Sequence, residues 1–267
     1  MRLVCRLHGI SASGYYKRLK HMASSEEYEL RVVSAIGTIR QRQPRVGGRK
    51  LQMMLSRQGV EIGRDRLYRL LDRHDLLSTL YRRKRLHLSR GPYQSNVPNL
   101  LRDIPSDGSV SAIVTDITYI QTRQGMRYLC VYLDYHSRKV LSWRLSDTLH
   151  RSVSIKALRS AMKEIGDTRD VIHHSDHGGQ YSSRDYTKVL RHGGMRISMT
   201  GEYRCYDNAV VERFHNTLKH EFGLANIQTS EEIARKAIAD SIRIYNNERL
   251  HASLEYQTPN QVFQHVA

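Results

Sequence analysis

The segment from Ser109 to Thr122, SVSAIVTDITYIQT, decides the fold. Its β-branched and aromatic residues predict a strand, and an acid, Asp116, stands in its middle. Two more β-rich runs follow closely, MRYLCVYLDYHS at 126–137 and KVLSWRLSD at 139–147. Because only RQG separates the first two runs, the three strands are predicted to form an antiparallel meander.

The chain after the meander alternates helical and strand patterns. Helical periodicity over Ser152–Ile165 is followed by a short strand at Val171–Ser175 and a helix at Ser183–His192. A short strand, RISMT (196–200), precedes a helix that begins near Asp207 or Asn208. The order βββαβαβα predicts an α/β fold, a mixed sheet with helices packed against it, and best matches a ribonuclease-H-like domain.

Three acids lie on three of these predicted elements. Asp116 is central in an apolar strand, where a carboxylate is costly unless it is paired, hydrogen-bonded or metal-bound. Asp176 ends the fourth strand in HHSDHGGQYSS (173–183), where Gly178 and Gly179 would let the backbone approach a ligand. Glu212 lies in the last predicted helix, and 35 residues separate it from Asp176.

The helix of Glu212 has an apolar stripe formed by Val211, Phe214, Leu218 and Phe222. On a regular α-helix Glu212, Asn216 and Lys219 fall on a neighbouring face, about 120° from that stripe. A metal-facing acid and a phosphate-facing lysine are therefore predicted on one side of the helix.

Three carboxylates suit a divalent-metal site for phosphoryl transfer. Mg²⁺ prefers oxygen ligands, and two ions roughly 4 Å apart can activate an attacking oxygen and stabilise a leaving one. Taken singly, each acid could equally be a solvated or salt-bridged carboxylate. His173, His174 and His177 with Asp176 could instead bind zinc, but histidines so close to a strand end point in different directions. Leu190–His192 faintly resembles a tyrosine recombinase, although no Arg–His–Arg–Tyr order completes it.

Charge indicates a polyanionic partner. The 267 residues carry a net charge of +17 and the pI is near 10.0. Residues 1–100 hold 21 basic and 7 acidic residues, whereas the remainder holds 22 and 19. An ordinary basic soluble protein is the alternative. No apolar run approaches the roughly 18 residues of a membrane span. Three separated cysteines indicate reduced thiols and a cytoplasmic location.

The basic first third predicts a DNA-binding region. A short helix-turn element at His8–Leu19 and a helix at Ser25–Gln43, with Leu30, Val33 and Ile36 on one face, precede two short helices, Gly48–Gln58 and Gly63–His74. Gly59 is predicted to end the first of these two. They suggest a helix-turn-helix whose second helix offers Arg64, Arg66, Arg69 and Arg73 to DNA. A helical hairpin with a solvated basic face is the alternative.

The segment Thr79–Arg90 could track phosphates through Arg82, Arg83, Lys84 and Arg85, or be an ordinary solvated charge run. The uncharged, proline-containing GPYQSNVPNL marks a boundary. The predicted domains are an all-α helix-turn-helix-like region with its basic linker at 1–90, a linker at 91–108, a catalytic core at 109–225 and a helical extension at 226–267.

At these residues the chain resembles the DDE integrase-type transposases, and more narrowly the second-reading-frame products of IS-three-type insertion sequences. The likeness spans nearly the whole chain. It is carried by SASGYY (11–16), the helix-turn-helix-like stretch 46–71, TDITYI with Asp116, HSDHGGQYSS with Asp176, CYDNAVVERFHNTLKHE with Glu212, and YNNERLHASLEYQTPNQVF (245–263).

The resemblance implies roles for individual residues. Asp116, Asp176 and Glu212 would be the catalytic metal ligands for Mg²⁺ or Mn²⁺, with two ions bound. Lys219, seven residues after Glu212, would contact DNA near the active site. Gly178, Gly179 and Tyr181 would shape the loop after Asp176, and Asn208 would shape the start of the Glu212 helix.

The resemblance also implies the reaction and its partners. An insertion-sequence transposase would cleave a strand at the element's end and join the freed 3′-OH to another duplex, as a multimer on double-stranded DNA in a bacterial cytoplasm, associated with the nucleoid. An upstream frame, as partner or fusion segment, would supply a further helix-turn-helix and a zipper, since no heptad zipper is present here. A ribonuclease-H-like nuclease without joining, and a non-catalytic repressor or decayed transposase, are the alternatives.

Overall fold

The helices and strands fall into two compact units, Met1–Thr79 and Leu80–Ala267. The structure, a computed structural model, describes Cys5, Gly9 and residues 11–78, 97–105, 107–201, 208–227 and 229–266, with backbone alone at 226–227 and 264–266. The predicted contacts of residues 82–85 therefore lie outside the described residues.

The first unit is built on one long helix, α1 (Ala12–Arg42). The predicted break between two helices is wrong, because residues 15–36 contain neither glycine nor proline and are rich in helix-forming residues. The Ser11 side chain caps the helix by accepting from the Gly14 amide. Leu30 is exposed, which corrects its predicted place on the buried face; Val32, Ile36 and Ile39 form that face instead.

Two short helices pack on the end of α1. Helix α2 (Gly48–Arg57) and helix α3 (Arg64–Arg73) confirm the predicted pair. Gly59 follows α2 with a φ of 75°, the left-handed conformation expected after a helix end. Five leucines of these two helices form the core of this unit with α1: Leu51, Leu55, Leu67, Leu70 and Leu71.

The second unit is a mixed sheet. Strands β1 (Ala112–Thr122), β2 (Gly125–Asp134) and β3 (Val140–Ser146) form the predicted antiparallel meander. Strands β4 (Ile172–Ser175) and β5 (Arg196–Met199) extend it in parallel to β1, giving the order β3-β2-β1-β4-β5. A two-residue strand, β6 (Asn226–Ile227), which sequence analysis did not predict, pairs with the end of β1.

Helices complete the unit. They are α4 (Arg151–Ile165), α5 (Gly179–Ser182), α6 (Arg184–His192), α7 (Ala209–Asn216), α8 (Glu231–Asn247) and α9 (Pro259–Val266). A π-helical turn, Thr217–Glu221, continues α7, and a 3₁₀ turn, Ala252–Leu254, follows α8. None of the helices in the described ranges is long and apolar enough to cross a membrane.

Both faces of the sheet are covered. On β2, Cys130 and Tyr132 face a cluster that includes α4 and α6, while Leu129, Val131 and Leu133 face a cluster that includes α7 and α8. This alternation explains why β2 is almost continuously apolar, since both of its faces are buried. The predicted α/β class, a mixed ribonuclease-H-like sheet preceded by a helical region, is confirmed.

Candidate active site

Strand register brings two of the three predicted acids together. In the parallel pair of β1 and β4, Val114 lies opposite His174. Asp116 and Asp176 each lie two residues beyond this pair, and Asp176 comes immediately after β4 ends at Ser175. Because side chains alternate along a strand, Asp116 shares the sheet face of Val114, which is the face that α7 covers.

Each aspartate is held by a backbone amide. Asp116 Oδ1 accepts a hydrogen bond from the amide of Ile117 at 2.8 Å, and Asp176 Oδ1 accepts one from the amide of Gly178 at 3.0 Å. A Cβ atom on Gly178 would lie 3.0 Å from Asp176 Oδ1, so the absence of a side chain allows this approach. At Gly179 a Cβ would meet nothing within 4 Å.

The third acid comes from the helix. Glu212 lies in the first turn of α7 and is half-buried. The predicted stripe of Val211, Phe214, Leu218 and Phe222 is buried against the sheet, as expected. This anchoring leaves the first turn of α7 beside the end of the sheet that carries the two aspartates.

Electrostatics show that the acids share one environment. Burial and the charge of Asp176 raise the pKa of Asp116 to about 7; the amide of Ile117 opposes this rise, Glu212 adds to it and Lys219 opposes it. Like charges so close favour a bound cation. As placed, however, no three histidine, cysteine or acidic side chains of the described chain form a ready-made metal-binding group. Asp116, Asp176 and Glu212 offer only oxygen atoms, the ligand type that a hard cation prefers.

A histidine that the sequence analysis overlooked lies against Asp116. His215 Nδ1 is 3.5 Å from Asp116 Oδ2, and the side chain is 9% exposed. Burial, with the nearby charge of Lys219, lowers the pKa of His215 to about 3, so the imidazole is neutral at physiological pH. The sequence did offer a signal for this histidine: it stands one turn after Glu212, on the side of the helix next to the apolar stripe.

Lys219 lies in a helical turn of a different type from the one predicted. The helix was expected to stay regular through Lys219, but residues Thr217–Glu221 form a wider π-helical turn. At the start of this turn both the backbone amide and the hydroxyl of Thr217 donate to the Arg213 carbonyl, the hydroxyl at 2.9 Å. Burial lowers the pKa of Lys219, and the charge of Asp116 partly opposes that shift.

Two further predicted residues converge on Thr115, the neighbour of Asp116. The Tyr181 hydroxyl lies 3.3 Å from Thr115 Oγ1, and the Asn208 amide donates to the Thr115 carbonyl at 3.2 Å. All three residues are buried. Thr115 therefore links β1 to the loop after Asp176 and to the residue that precedes α7.

The three histidines near Asp176 do point in different directions. His173 Nε2 lies 2.8 Å from the Tyr186 hydroxyl, and His174 Nδ1 lies 2.8 Å from Ser198 Oγ. His177 Nε2 donates to the carbonyl of Thr200. Each ring thus has a separate partner, which agrees with the expectation that these histidines do not share a zinc ion.

The predicted DNA-contacting arginines of α3 differ in their surroundings. All four are exposed. The Arg66 guanidinium lies 4.5 Å from the centre of the Tyr28 ring, and Arg73 Nη1 is 2.9 Å from both carboxylate oxygens of Glu29. Arg64 Nε lies 2.9 Å from Oδ1 of the exposed Asp65, and Arg69 Nε donates to the Asp65 carbonyl.

Comparison with known proteins defines the class. Residues 108–205 match a family model described as an integrase core domain, and residues 193–259 match a second model with that description. Residues 27–85 match an HTH-like domain. The chain is thus an integrase-core protein with an HTH-like region before the core.

Relatives narrow the class to a family. The chain is 31% identical over 262 residues to a 31 kDa protein of insertion element IS600 from Shigella sonnei, covering 96% of each chain. It is 30% identical to the transposase InsF of IS3A from Escherichia coli, covering 98% of this chain and 93% of the relative. The chain belongs to the IS3-family transposases of insertion sequences.

Solved structures give a more distant likeness. The catalytic core domain of HTLV-2 integrase, solved in complex with magnesium, is similar with a TM-score of 0.46 and 15% identity, over 63% of this chain and 99% of that one. A simian T-cell lymphotropic virus intasome gives a TM-score of 0.48 and 17% identity, over 81% of this chain and 70% of that one.

Proposed function

We propose that Asp116, Asp176 and Glu212 form the catalytic centre of a DNA strand-transfer enzyme and hold one or two divalent cations, Mg²⁺ or Mn²⁺. The observation that carries this proposal is that Asp116, on the face covered by α7, and Asp176 each lie two residues beyond the Val114–His174 pair of β1 and β4, and that the charge of Asp176 acts on Asp116. The raised pKa of Asp116 supports the proposal. Burial and the neighbouring acids disfavour the charged form of this carboxyl, and a bound cation would offset that cost.

The chain's residues supply position and charge. Backbone amides of Ile117 and Gly178 each engage one carboxylate oxygen and so orient Asp116 and Asp176. A bound divalent cation supplies the activation of an attacking oxygen and the stabilisation of a leaving one. Lys219, whose positive charge acts on Asp116, would bind a DNA phosphate that enters the site.

DNA binding is assigned to the first unit and the basic segment after it. Arg64 and Arg69 are the α3 arginines best placed to contact phosphate, since both contact the exposed Asp65 of their own helix, whereas Arg66 and Arg73 are engaged by Tyr28 and Glu29 of α1. Arg82, Arg83, Lys84 and Arg85, which lie outside the described residues, are proposed as further phosphate contacts. Two element ends must be held together for transfer, so we also propose a multimer on DNA, with an upstream-frame segment as a further partner.

The family of the chain favours transposition over the two alternatives. Its relatives are named as transposases of insertion sequences. That relationship supports joining as well as cleavage, and so argues against a nuclease that only hydrolyses. The grouping of the three acids around Asp116 argues against a repressor with vestigial acids.

The experiment is a Mg²⁺-dependent assay on a labelled duplex that carries the element's terminal repeat. The full chain is expected to cut the strand at the repeat and to join its 3′ end to a second duplex, whereas Asp116→Asn, Asp176→Asn and Glu212→Gln are expected to do neither. The matched control is Asp167→Asn, an exposed aspartate paired with Arg169. Cleavage retained in any of the three variants would remove that residue from the centre.

A further inference from the structure

The π-helical turn after α7 is held by backbone bonds of unusual span. The Phe222 amide bonds the Thr217 carbonyl at 3.1 Å, five residues back, and the Leu224 and Ala225 amides bond the carbonyls of Leu218 and Lys219 at 3.2 Å each. A π-turn places later residues differently from a continuous α-helix. The direction of Lys219 relative to Glu212 therefore depends on this turn.

A buried ion pair closes the turn. Arg249 Nε donates to Glu221 Oε1 at 3.0 Å and Arg249 Nη2 donates to Glu221 Oε2 at 2.8 Å. The two side chains are 10% and 14% exposed. Two parallel bonds between a guanidinium and a carboxylate fix the orientation of both groups, which a lysine could not do.

The arginine is itself held by its neighbours in the YNNERLH stretch (245–251). Arg249 Nη1 lies 3.0 Å from His251 Nε2. The Tyr245 ring packs edge-on against His251 and against Phe214, with 4.9 Å between ring centres in each case. Phe214 lies two residues from Glu212, so this stretch contacts α7 as well as the end of the π-turn.

We infer that Arg249 and Glu221 are positioning residues: their pair fixes the π-helical turn and thereby sets the direction of Lys219 relative to Glu212. Stability alone does not explain the pair, because a buried ion pair is often no more stabilising than apolar residues of similar volume. What the pair adds is a fixed geometry two residues from Lys219. The inference deepens the proposed function and rests on it for the role of Lys219 in catalysis.

The first test needs no activity. Amide hydrogen exchange is measured on the full chain by mass spectrometry, for wild type, Arg249→Lys and Glu221→Gln. Peptides that cover residues 217–225 are expected to exchange faster in both variants. The control, Arg127→Lys, disturbs another pair of the same unit, in which Arg127 Nε lies 2.7 Å from Glu231 Oε2, and should leave these peptides unchanged. Wild-type exchange at 217–225 in Arg249→Lys would overturn the inference.

The second test asks whether the pair acts through Lys219. Arg249→Lys should slow Mg²⁺-dependent cleavage of the terminal-repeat duplex about tenfold in the wild-type background, but less than about twofold in Lys219→Ala. Losses that simply multiply would show a general structural role and contradict the inference. If the wild-type chain does not cleave at all, the proposed function fails, while the exchange measurement still decides whether the pair holds the turn.

Discussion

The side-chain amide of Asn208 donates a hydrogen bond to the backbone carbonyl of Thr115 over 3.2 Å. Thr115 precedes Asp116, and Asn208 stands immediately before the helix that carries Glu212. The hydroxyl of Thr115 contacts Tyr181, which belongs to the helix after the Asp176 loop. One threonine therefore connects the three segments that supply the acids.

Removing the Asn208 amide should loosen this connection. Asn208→Ala is expected to lower the free energy of unfolding by about 1–2 kcal/mol, because a buried carbonyl loses its partner. It should also slow Mg²⁺-dependent cleavage, since the start of α7 is no longer tied to β1. The control is Asn247→Ala, whose amide donates to the Arg243 carbonyl on an exposed surface. Denaturant unfolding and the cleavage rate check both effects; unchanged cleavage would contradict the connection.

The two glycines after Asp176 should respond differently. In Gly178→Ala the new methyl group would press on Asp176 Oδ1 and on the Gln180 side chain. A displacement of this kind is expected to slow cleavage by between about 10- and 100-fold. Gly179→Ala meets open space and should cleave at the wild-type rate. Equal effects of the two substitutions, in rates measured side by side, would refute this account of the loop.

The metal-free protein should become more stable when Asp116 loses its charge. The pKa of Asp116 rises from an ordinary value of 3.8 to about 7 on folding, so the folded state is penalised increasingly as pH rises from about 4 to 7 and uniformly above. Asp116→Asn is therefore expected to unfold at a higher temperature in EDTA, with a larger gain at pH 8 than at pH 5. The gain is bounded at roughly 4 kcal/mol.

Thermal unfolding of the full chain at the two pH values measures this gain. Asp167→Asn serves as the control, because Arg169 lowers the pKa of Asp167 to about 2, and it should bring no gain at either pH. A gain for Asp116→Asn that is the same at pH 5 and pH 8 would show that burial and the neighbouring acids do not raise the pKa of Asp116.

Substitutions of the α3 arginines should differ in their effects on DNA binding and on stability. Arg64→Ala and Arg69→Ala are each expected to weaken binding of the full chain to duplex DNA and to reduce the salt slope by about 1, with little loss of stability. Arg66→Ala should instead destabilise the first unit, because it loses the ring of Tyr28. Fluorescence anisotropy at several salt concentrations checks the first effect. An unchanged slope in the Arg64 and Arg69 variants would take α3 out of the DNA interface.

Much of the second unit could be predicted from the sequence. Strand alternation located β1 to β3, and the apolar stripe through Phe214 located α7, because both periodicities follow directly from burial. The π-turn at Thr217–Glu221 could not be predicted, since the ion pair that closes it joins Glu221 to Arg249, which lies 28 residues further along the chain. Long-range contacts of this kind leave no local pattern.

The same limit applies around the acids. Sequence spacing selected Asp116, Asp176 and Glu212 but could not say that β1 and β4 pair with Val114 opposite His174, two residues before each aspartate. His215 was overlooked because a histidine next to an apolar stripe resembles an ordinary core residue until Asp116 is found 3.5 Å away. In α1, the exposed Leu30 shows that helical period alone does not tell which face is covered.

The central claim, that Asp116, Asp176 and Glu212 hold a divalent cation together, is tested most directly by Mn²⁺ binding. The full chain, with a terminal-repeat duplex present, is titrated with Mn²⁺ and free ion is followed by electron paramagnetic resonance. Each of Asp116→Asn, Asp176→Asn and Glu212→Gln should weaken binding by about tenfold or more, and Asp167→Asn should bind as the wild type does. Wild-type Mn²⁺ affinity in any of the three variants would contradict a shared site.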